Sequence, residues 1–387
     1  MPIFTPPLSL YVHLPWCVRK CPYCDFNSHE IKGSLPESLY VDALLQELNA
    51  HRHLVDNRPL VSIFFGGGTP SLFSPAAIAS IIDGVAKQLP LDPAIEITLE
   101  ANPGTTEYIS FTDLRLAGIN RISLGIQSFQ DDKLKTLGRI HTQQQASVAI
   151  EKLIHAGINN FNIDLMYGLP EQSVQDALHD LEMAIRYQPP HLSWYQLTIE
   201  PNTVFYKHTP ALPRDDTVWE MQLAGQAYLQ AQGLQQYEIS AYARTDKQCK
   251  HNRNYWEFGD YLGIGAGAHS KITRQDHTVI RFAQVKQPRD YLLVEKRRQM
   301  LPAHTPSWVQ TVSPQELMFE FMLNALRLTE GVPLTLFTER TGLPLTSIAT
   351  LLQKAHQQGL LNPYEAQLCA SPLGQRYLNN LTALFLP

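Results

Sequence analysis

The sequence predicts an α/β protein, in which a barrel of six β/α units precedes a smaller, mainly helical, winged-helix-like C-terminal domain. Between residues 8 and about 235, six short apolar runs alternate with longer helical patterns. Such alternation is typical of parallel strands with crossover helices outside the sheet, in an open or a closed barrel. From about residue 304 the apolar periodicity is helical. The strand–helix alternation and the helical periodicity together predict this fold class.

The strand and helix patterns of the barrel can be placed in order. Apolar runs of strand length are LSLYVHL, VSIFF, IEITLE, RISLGI, FNIDLMY and HLSWYQLTI. Helical patterns between and after them are PESLYVDALLQELNAH, SPAAIASIIDGVAKQL, ISFTDLRLAG, a run ending at Gly157, SVQDALHDLEMAIRY and DTVWEMQLAGQAYLQAQG. Ser74 before Pro75 is a favourable start for the second helix, because serine caps helix N-termini and proline suits the first turn.

Three regions are therefore predicted. Residues 1–235 form the core barrel. Residues 236–303 form a mixed α/β connecting segment, with the strand-like YEISAYA, the polar KQCKHNRNYW and the glycine-rich GDYLGIGAGAHS. Residues 304–387 form the C-terminal helical domain, whose basic and acidic residues nearly balance. Because that domain has no positive face, packing or a protein contact is favoured over DNA binding.

Charge and composition exclude several classes of function. The 387-residue chain has a net charge of −5, so a broad basic surface for nucleic acid is not expected. No apolar run reaches the length of about 18 residues that a membrane span requires. The opening MPIFTPPLSLYVHL has no basic stretch or small-residue cleavage site, so we expect no signal peptide and a cytoplasmic protein.

Three of the five cysteines lie in one short loop after the first predicted strand: Cys17, Cys21 and Cys24. Structural zinc takes four ligands, and catalytic zinc with three usually includes histidine or glutamate, for which His13 and His29 are candidates. A c-type haem site needs histidine after Cys-x-x-Cys, where this chain has Asp25. A [4Fe–4S] cluster held by three thiolates leaves one iron open to another ligand.

Polar residues follow the other predicted strands. A triple-glycine stretch allows close approach of a ligand to the backbone, and carboxylate, amide and guanidinium groups follow. Each could instead be an ordinary turn or cap residue. The carboxyl ends of parallel barrel strands form a common ligand face, so these groups are predicted to meet there. The residues are Gly67, Gly68, Thr69, Glu100, Gln127, Arg139 and Asp164.

The Cys-x-x-x-Cys-x-x-Cys loop after the first strand resembles the radical S-adenosylmethionine (SAM) superfamily, as does the GGGTP stretch. The resemblance implies a partial (β/α)6, TIM-like barrel, a [4Fe–4S] cluster and SAM chelated to the fourth iron, whose reductive cleavage yields a 5′-deoxyadenosyl radical. It implies that the residues at the strand ends form the SAM pocket, with Gly67, Gly68 and Thr69 at its amino end and Glu100 at its ribose. Tyr11 would contact SAM, and Phe26 would pack near the adenine.

Within that superfamily, LYVHLPWCVRKCPYCDFNSH, LSWYQLTIEPNT and CKHNRNYW resemble the haem chaperones related to oxygen-independent coproporphyrinogen III oxidase. The oxidase has a further cysteine where this chain has Phe26, and a long extension where only ten residues precede Tyr11. Both differences favour a chaperone that binds haem and passes it to an acceptor protein. The alternatives are the oxidase itself, acting by radical decarboxylation, or another radical SAM enzyme, and no residue is assigned a catalytic role.

The HNRNYW stretch is the predicted haem-binding segment. Imidazole is a common ligand of haem iron, and aromatic rings can stack on a porphyrin. We therefore predict His251 as the ligand, with Tyr255 and Trp256 beside it. A structural histidine is the alternative, and Cys249 is a competing ligand. The predicted partners are haem, an acceptor and an electron donor, with any membrane contact made through the acceptor.

Overall fold

The computed structural model describes residues 5–105, 110–298, 306 and 308–387. Its strands in chain order are β1 Leu8–Leu14, β2 Trp16–Cys17, β3 His29–Glu30, β4 Leu60–Gly67, β5 Leu91–Ala101, β6 Arg121–Gln127, β7 Phe161–Tyr167, β8 His191–Gln196, β9 Gln235–Glu238, β10 Ala241–Ala243, β11 Asp260–Ile264, β12 His269–Thr273, β13 Val279–Ala283, β14 Trp308–Thr311, β15 Val332–Pro333 and β16 Gln367–Leu368.

The helices alternate with these strands through the first two thirds of the chain. They are α1 Glu37–His51, α2 Pro75–Ala86, α3 Phe111–Leu116, α4 Asp131–Thr136, α5 Gln143–His155, α6 Val174–Ile185, α7 Val204–Lys207, α8 Asp215–Ala231, α9 Lys250–Trp256, α10 Pro288–Arg298, α11 Pro314–Ala325, α12 Thr335–Thr341, α13 Ala349–Gln357, α14 Pro372–Arg376 and α15 Leu378–Ala383. Ser74 accepts a hydrogen bond from the Ala77 amide at 3.2 Å, which confirms the predicted cap of α2.

The six predicted barrel strands are parallel neighbours in the order β1-β4-β5-β6-β7-β8. Their register pairs Glu100 with Ser123 and Asp164 with Ser193, so polar residues of adjacent strands lie at similar heights in the barrel. A large apolar core fills the space between this sheet and the helices. The predicted β/α barrel is confirmed.

Strands that follow the six barrel strands in the sequence extend the barrel sheet at both edges. Beyond β8 lie β10 and β9, which are antiparallel, and beyond β1 lie β11, β12, β13 and β14. Strand β11 is parallel to β1, whereas β12 to β14 are antiparallel. The predicted strand YEISAYA is a hairpin of β9 and β10, and KHNRNYW forms the short helix α9.

The C-terminal region has its own apolar core, built mainly from α11, α12, α13 and α15, and a two-stranded ribbon of β15 and β16. Arg327 anchors it to the middle segment, through an ion pair with Glu238 at 3.0 Å and a stacking contact with Trp256 at 4.1 Å. This matches the predicted helical, winged-helix-like class.

The predicted region boundaries stay predictions. Strand β9 spans the predicted boundary between residues 235 and 236. The predicted boundary between residues 303 and 304 lies outside the described residues. None of the helices in the described ranges combines the length and apolar character that crossing a bilayer requires.

Candidate functional site

The carboxyl ends of the parallel strands surround a cavity of about 330 Å³, which we name the mouth cavity. Its wall contains all three clustered cysteines, Phe26 and every residue that the strand-end pattern singled out. These lining residues are Cys17, Cys21, Cys24, Phe26, Gly67, Gly68, Thr69, Glu100, Gln127, Arg139 and Asp164. The structure therefore brings together, in one place, residues that span almost 150 positions of sequence.

The cysteine loop is held in shape by local hydrogen bonds. Strands β2 and β3 pair in parallel at the ends of the loop and fix its width. The Lys20 ammonium donates to the carbonyl oxygen of Phe26 at 2.9 Å, and the Cys24 sulfur lies 3.6 Å from the Ser28 hydroxyl. Asn27 donates to the carbonyl oxygens of Ala266 and Lys286, both at 2.9 Å, which ties the loop to the middle segment.

The chemistry of the three thiols suits an inorganic cluster rather than a single ion. Within the described ranges, no three histidine, cysteine, aspartate or glutamate side chains converge closely enough to hold one metal ion. In an iron–sulfur cluster each thiolate binds its own iron, so the sulfurs are spread around a larger core. Burial, with a smaller contribution from Cys24, raises the pKa of Cys17 to about 11. Binding of a cluster would therefore displace protons from these thiols.

The glycine turn at the end of β4 lies against the start of the cysteine loop, because the Thr69 amide donates to the carbonyl oxygen of Trp16 at 2.7 Å. Gly67 has a φ of 119°, in the left-handed region that favours glycine, and a Cβ at that position would lie 2.7 Å from the His13 ring. A Cβ on Gly68 would collide with the carbonyl oxygen of Trp16. The backbone of this turn thus lies against the wall of the mouth cavity with no side chain in between, which is what close contact with a ligand requires.

Two acidic side chains face each other across the mouth cavity. Burial, followed by the proximity of Asp164, raises the pKa of Glu100 to about 8. Burial also raises the pKa of Asp164, although its carboxylate accepts hydrogen bonds from Asn162 at 2.7 Å and Ser123 at 3.0 Å. Asp164 is therefore fixed in position by two side chains, whereas Glu100 has the backbone of Gly67 as a partner. A carboxylate has two oxygens, so Glu100 can also accept hydrogen bonds from a ligand that offers hydroxyl or amino donors.

Gln127 and Arg139 complete the wall. Gln127 has a φ of 75°, an uncommon value for a residue with a side chain, and its side-chain oxygen accepts a hydrogen bond from the Tyr195 hydroxyl at 2.7 Å. Arg139 donates to the carbonyl oxygen of Gly125, and its other terminal nitrogen lies 3.7 Å from the Cys21 sulfur. This guanidinium is placed to stabilise a thiolate beside it.

Several lining residues were not predicted from the sequence: Tyr23, Ser123, Ser193, Tyr195, Ser240 and Asn252. A signal was present in the strands, because Ser123, Gly125 and Gln127 alternate with apolar residues along β6, and Ser193 and Tyr195 do so along β8. Alternate residues of a strand point to the same face, so each series lines the barrel interior.

A second cavity of about 610 Å³, which we name the side cavity, adjoins the mouth cavity. The two share Phe26, Gly67 and Glu100 in their walls. Phe26 is 64% exposed, so its ring is available to a ligand in either cavity. Tyr11, predicted at the SAM pocket, lines the side cavity, and its hydroxyl lies 3.0 Å from the His13 ring nitrogen Nδ1.

His251 lies behind the aromatic wall of the side cavity and is only 2% exposed. Its ring stacks on Phe64 at 4.8 Å and contacts the edge of Tyr255 at 5.0 Å. The Ser62 hydroxyl donates to Ser9, so we infer that Nδ1 of His251 carries the proton and donates to Ser62 at 2.9 Å. Nε2 then bears a lone pair and has no hydrogen-bond partner among the described residues. Burial, with help from Arg121, lowers the pKa of His251 to about 3.

The other candidates of the haem-binding segment lie at different depths. Cys249 is fully buried, and burial is the main reason that its thiol pKa rises to about 12. Its sulfur lies 3.5 Å from the Glu96 carboxylate. Cys249 lines neither the mouth cavity nor the side cavity. Trp256 lines the mouth cavity, whereas Tyr255 lines the side cavity.

Comparison with known proteins decides the family. The model of the radical SAM superfamily matches residues 11–184, and that of the HemN C-terminal domain matches residues 312–377. The chain is 47% identical to the heme chaperone HemW of Escherichia coli over 384 residues, which cover 98% of both chains. The chain belongs to the HemW family of radical SAM proteins. The HemW of Haemophilus influenzae is also 47% identical over 98% of both chains, and that of Bacillus subtilis is 34% identical over 98% of this chain and 99% of its own.

Among solved structures, the coproporphyrinogen III oxidase HemN of Escherichia coli matches 98% of this HemW-family chain and 90% of its own, with a TM-score of 0.81. At 22% identity this match confirms the radical SAM barrel and carries no statement about activity. Membership of the radical SAM superfamily implies a [4Fe–4S] cluster and SAM, as the cysteine loop predicted. The three thiols, the glycine turn and the buried Glu100 carboxyl, which all line the mouth cavity, fit both groups.

Proposed function

We propose that this protein is a cytoplasmic haem chaperone, which binds haem and transfers it to an acceptor protein while it carries a SAM-binding [4Fe–4S] cluster. The observation that carries the proposal is the 47% identity, over 98% of both chains, to a protein named heme chaperone HemW. An electron donor and a haem acceptor are the partners that this function requires. Oxygen-independent decarboxylation of coproporphyrinogen III is the alternative, which the fold match alone does not favour.

Within this proposal, Cys17, Cys21 and Cys24 hold the cluster, and the other residues of the mouth cavity bind SAM. Bound there, the pair would supply one-electron chemistry at the end of the barrel. The turn at Gly67 and Gly68 would receive the amino group of SAM, since backbone carbonyl oxygens can approach it without a side chain in between. Thr69, Gln127, Arg139 and Asp164 would complete the pocket, with Glu100 accepting hydrogen bonds from the ribose hydroxyls.

Two assays on one preparation test the proposed function. The reconstituted protein is titrated anaerobically with haem, and the same preparation is incubated with coproporphyrinogen III, SAM and a chemical reductant. We expect saturable haem binding, transfer of bound haem to an apoprotein and no decarboxylated product. Sustained formation of product, with no saturable haem binding, would assign the chain to the enzymes instead.

The raised pKa of Glu100 predicts an unusual dependence of SAM binding on pH. Because the pKa is about 8, only about one tenth of the carboxyl is ionised at pH 7 in the free protein. Ribose hydroxyls donate to the ionised form, so SAM affinity should rise up to about tenfold between pH 7 and pH 9. Glu100→Gln should bind SAM more weakly and lose that rise, as measured by isothermal titration calorimetry. The exterior variant Glu182→Gln is the control, and a rise that persists in Glu100→Gln would refute the role of this carboxyl.

The raised pKa of Glu100 also predicts how the stability of the folded protein depends on pH. The unfolded chain releases the Glu100 proton near the usual value of 4.5, whereas the folded protein retains it until about pH 8. The folded state therefore binds more protons over this interval, and stability contributed by this group falls as the pH rises through it. Without SAM, Glu100→Gln should unfold at a higher temperature than wild type at pH 8. A lower unfolding temperature would contradict the assignment of the proton to Glu100.

We propose that the HNRNYW segment takes part in haem binding. Whether His251 ligates the haem iron can be tested directly. The lone pair on Nε2 suits iron, but Tyr255 and Phe64 cover the ring, so ligation requires α9 to shift. If His251 is a ligand, His251→Ala should replace the histidine-type electron paramagnetic resonance spectrum of bound ferric haem by another. An unchanged spectrum, with iron content also unchanged, would leave His251 as a structural residue of the core.

A further inference from the structure

The side cavity contains the groups that a tetrapyrrole with carboxylate side chains would need. Its volume of about 610 Å³ is in the range of cofactor sites. Tyr11, Tyr255 and Tyr261 form an aromatic wall, in which the rings of Tyr255 and Tyr261 are 4.4 Å apart. Flat aromatic and apolar surfaces of this kind stack on porphyrin rings. The wall includes the tyrosine of the HNRNYW segment, which connects that segment to the cavity.

Three histidines line the side cavity, and their hydrogen bonds distinguish them. His13 uses both ring nitrogens, with Tyr11 at 3.0 Å and with the carbonyl oxygen of Asn27 at 2.8 Å. His29 contacts the side-chain oxygen of Asn27 at 3.2 Å. Burial lowers the pKa of His29, and a hydrogen bond to the backbone of Lys286 opposes that change. His269 is exposed, and its ring makes no hydrogen bond within the described part of the chain.

His269 also has the protonation state that a metal ligand requires. Its pKa is lowered, first by burial of part of the ring and then by the charges of Lys286 and Arg281. At neutral pH the imidazole is therefore uncharged, with one nitrogen free to coordinate. It begins β12, in the glycine-rich GDYLGIGAGAHS stretch, and β12 is paired with a strand on each side in the sheet. Unlike His251, it needs no movement of the protein to meet a ligand in the cavity.

Two ammonium groups lie at the rim of the side cavity. Lys20 already donates to the carbonyl oxygens of Phe26 and Ser28. Lys286 is exposed, and no ion pair of its ammonium occurs among the residues that the structure describes. Asp25 lies on the same rim and Glu100 also lines the side cavity, so the electrostatic preference for an anion is modest.

We propose that the side cavity is the haem site of this protein, with His269 as an axial ligand of the iron and Lys286 as the partner of a propionate. This inference rests on the proposed haem-binding function and adds its location and ligand. Because the cavities share Phe26, Gly67 and Glu100, haem in the side cavity lies next to SAM in the mouth cavity. Tyr11 and Tyr255 separate it from His251.

Axial ligation is tested with His269→Ala and a matched control, His155→Ala, which removes an exposed histidine from the outside of α5. Mutation of a residue that only orients a metal ligand typically lowers metal affinity by about 10–100-fold. Loss of the ligand itself should therefore weaken haem binding at least about tenfold. The histidine-type resonance spectrum should disappear in His269→Ala, return when imidazole is added and persist in His155→Ala. Iron content after reconstitution should match wild type, which shows that the barrel is folded.

The outcomes separate the inference from the function on which it rests. If wild type binds haem and His269→Ala keeps both affinity and spectrum, the inference fails and the proposed function stands. Loss of the histidine spectrum in His251→Ala alone also overturns the inference. If wild type does not bind haem, both fail.

Propionate pairing is tested by comparing haem with its dimethyl ester. An exposed ion pair contributes little, so Lys286→Ala should weaken binding of haem by about two- to fivefold and leave binding of the ester unchanged. Lys87→Ala is the control, because Lys87 is an exposed residue directly after α2. Equal weakening of haem and ester in Lys286→Ala would refute the pairing.

Discussion

Replacing Cys17, Cys21 and Cys24 together by alanine should abolish the iron–sulfur cluster. Wild type should take up about four irons per chain on anaerobic reconstitution, and the variant close to none, because the thiolates supply the cluster's protein ligands. Iron and sulfide analysis, with the visible absorption of the cluster, measures this loss. SAM affinity should fall with it, since the open iron is one of the proposed contacts of SAM.

The remaining two cysteines provide the matched control. Cys249 is buried beside Glu96 and Cys369 lies in the C-terminal region, so Cys249→Ala and Cys369→Ala should each retain a full cluster. Retention of about four irons by the triple variant would show that the loop does not bind the cluster. Loss of iron in Cys249→Ala with an intact fold would add that thiol to the ligands.

The second large effect concerns stability, at the edge where β11 joins the barrel. Asp260 is fully buried and accepts from Arg58 at 2.8 Å and Lys271 at 3.1 Å, and from the backbone and hydroxyl of Thr273, both at 2.8 Å. Asp260→Asn removes the negative charge and leaves the buried Lys271 and the largely buried Arg58 without a carboxylate partner. We expect a loss of about 3–5 kcal/mol in the free energy of unfolding, measured by urea denaturation.

Lowering the pH should remove the stabilisation that the ion pairs of Asp260 provide. Burial would raise the pKa of Asp260, but Lys271 and Arg58 outweigh it and hold the pKa below the usual 3.8. The stabilisation is therefore complete above that value and is lost as the pH falls through the lowered pKa. Glu257→Gln, which breaks a more exposed pair with Arg253, should cost less than about 1 kcal/mol. A similar cost for both variants would contradict the account of the buried pair.

Sequence patterns predicted the barrel because its strands are long, apolar and regularly spaced by helices. They also predicted the mouth cavity, since parallel strands bring their carboxyl ends to one face whatever the details of packing. The hairpin of β9 and β10 was missed, because its strands are short and its turn contains no glycine or proline. Helix α9 was missed for a related reason, since it spans barely two turns.

The side cavity could not be predicted from local patterns. His269 reaches it because β12 pairs with β11, which pairs with β1 some 250 residues earlier in the chain. His251 precedes two aromatic residues in the sequence and contacts aromatic rings in the structure. Its burial behind Tyr255 depends on how α9 packs on β4, which the sequence does not show. A motif identifies the residues near a ligand, whereas exposure decides which of them can bind it.

The most direct test of the central claim is haem transfer from the reconstituted protein. Wild type is loaded with one equivalent of haem under anaerobic conditions and mixed with an apoprotein that changes its absorption on haem uptake. We expect saturable loading of one haem per chain, followed by transfer that is faster than transfer from free haem. Absence of saturable loading, or turnover of coproporphyrinogen III by the same preparation, would contradict it.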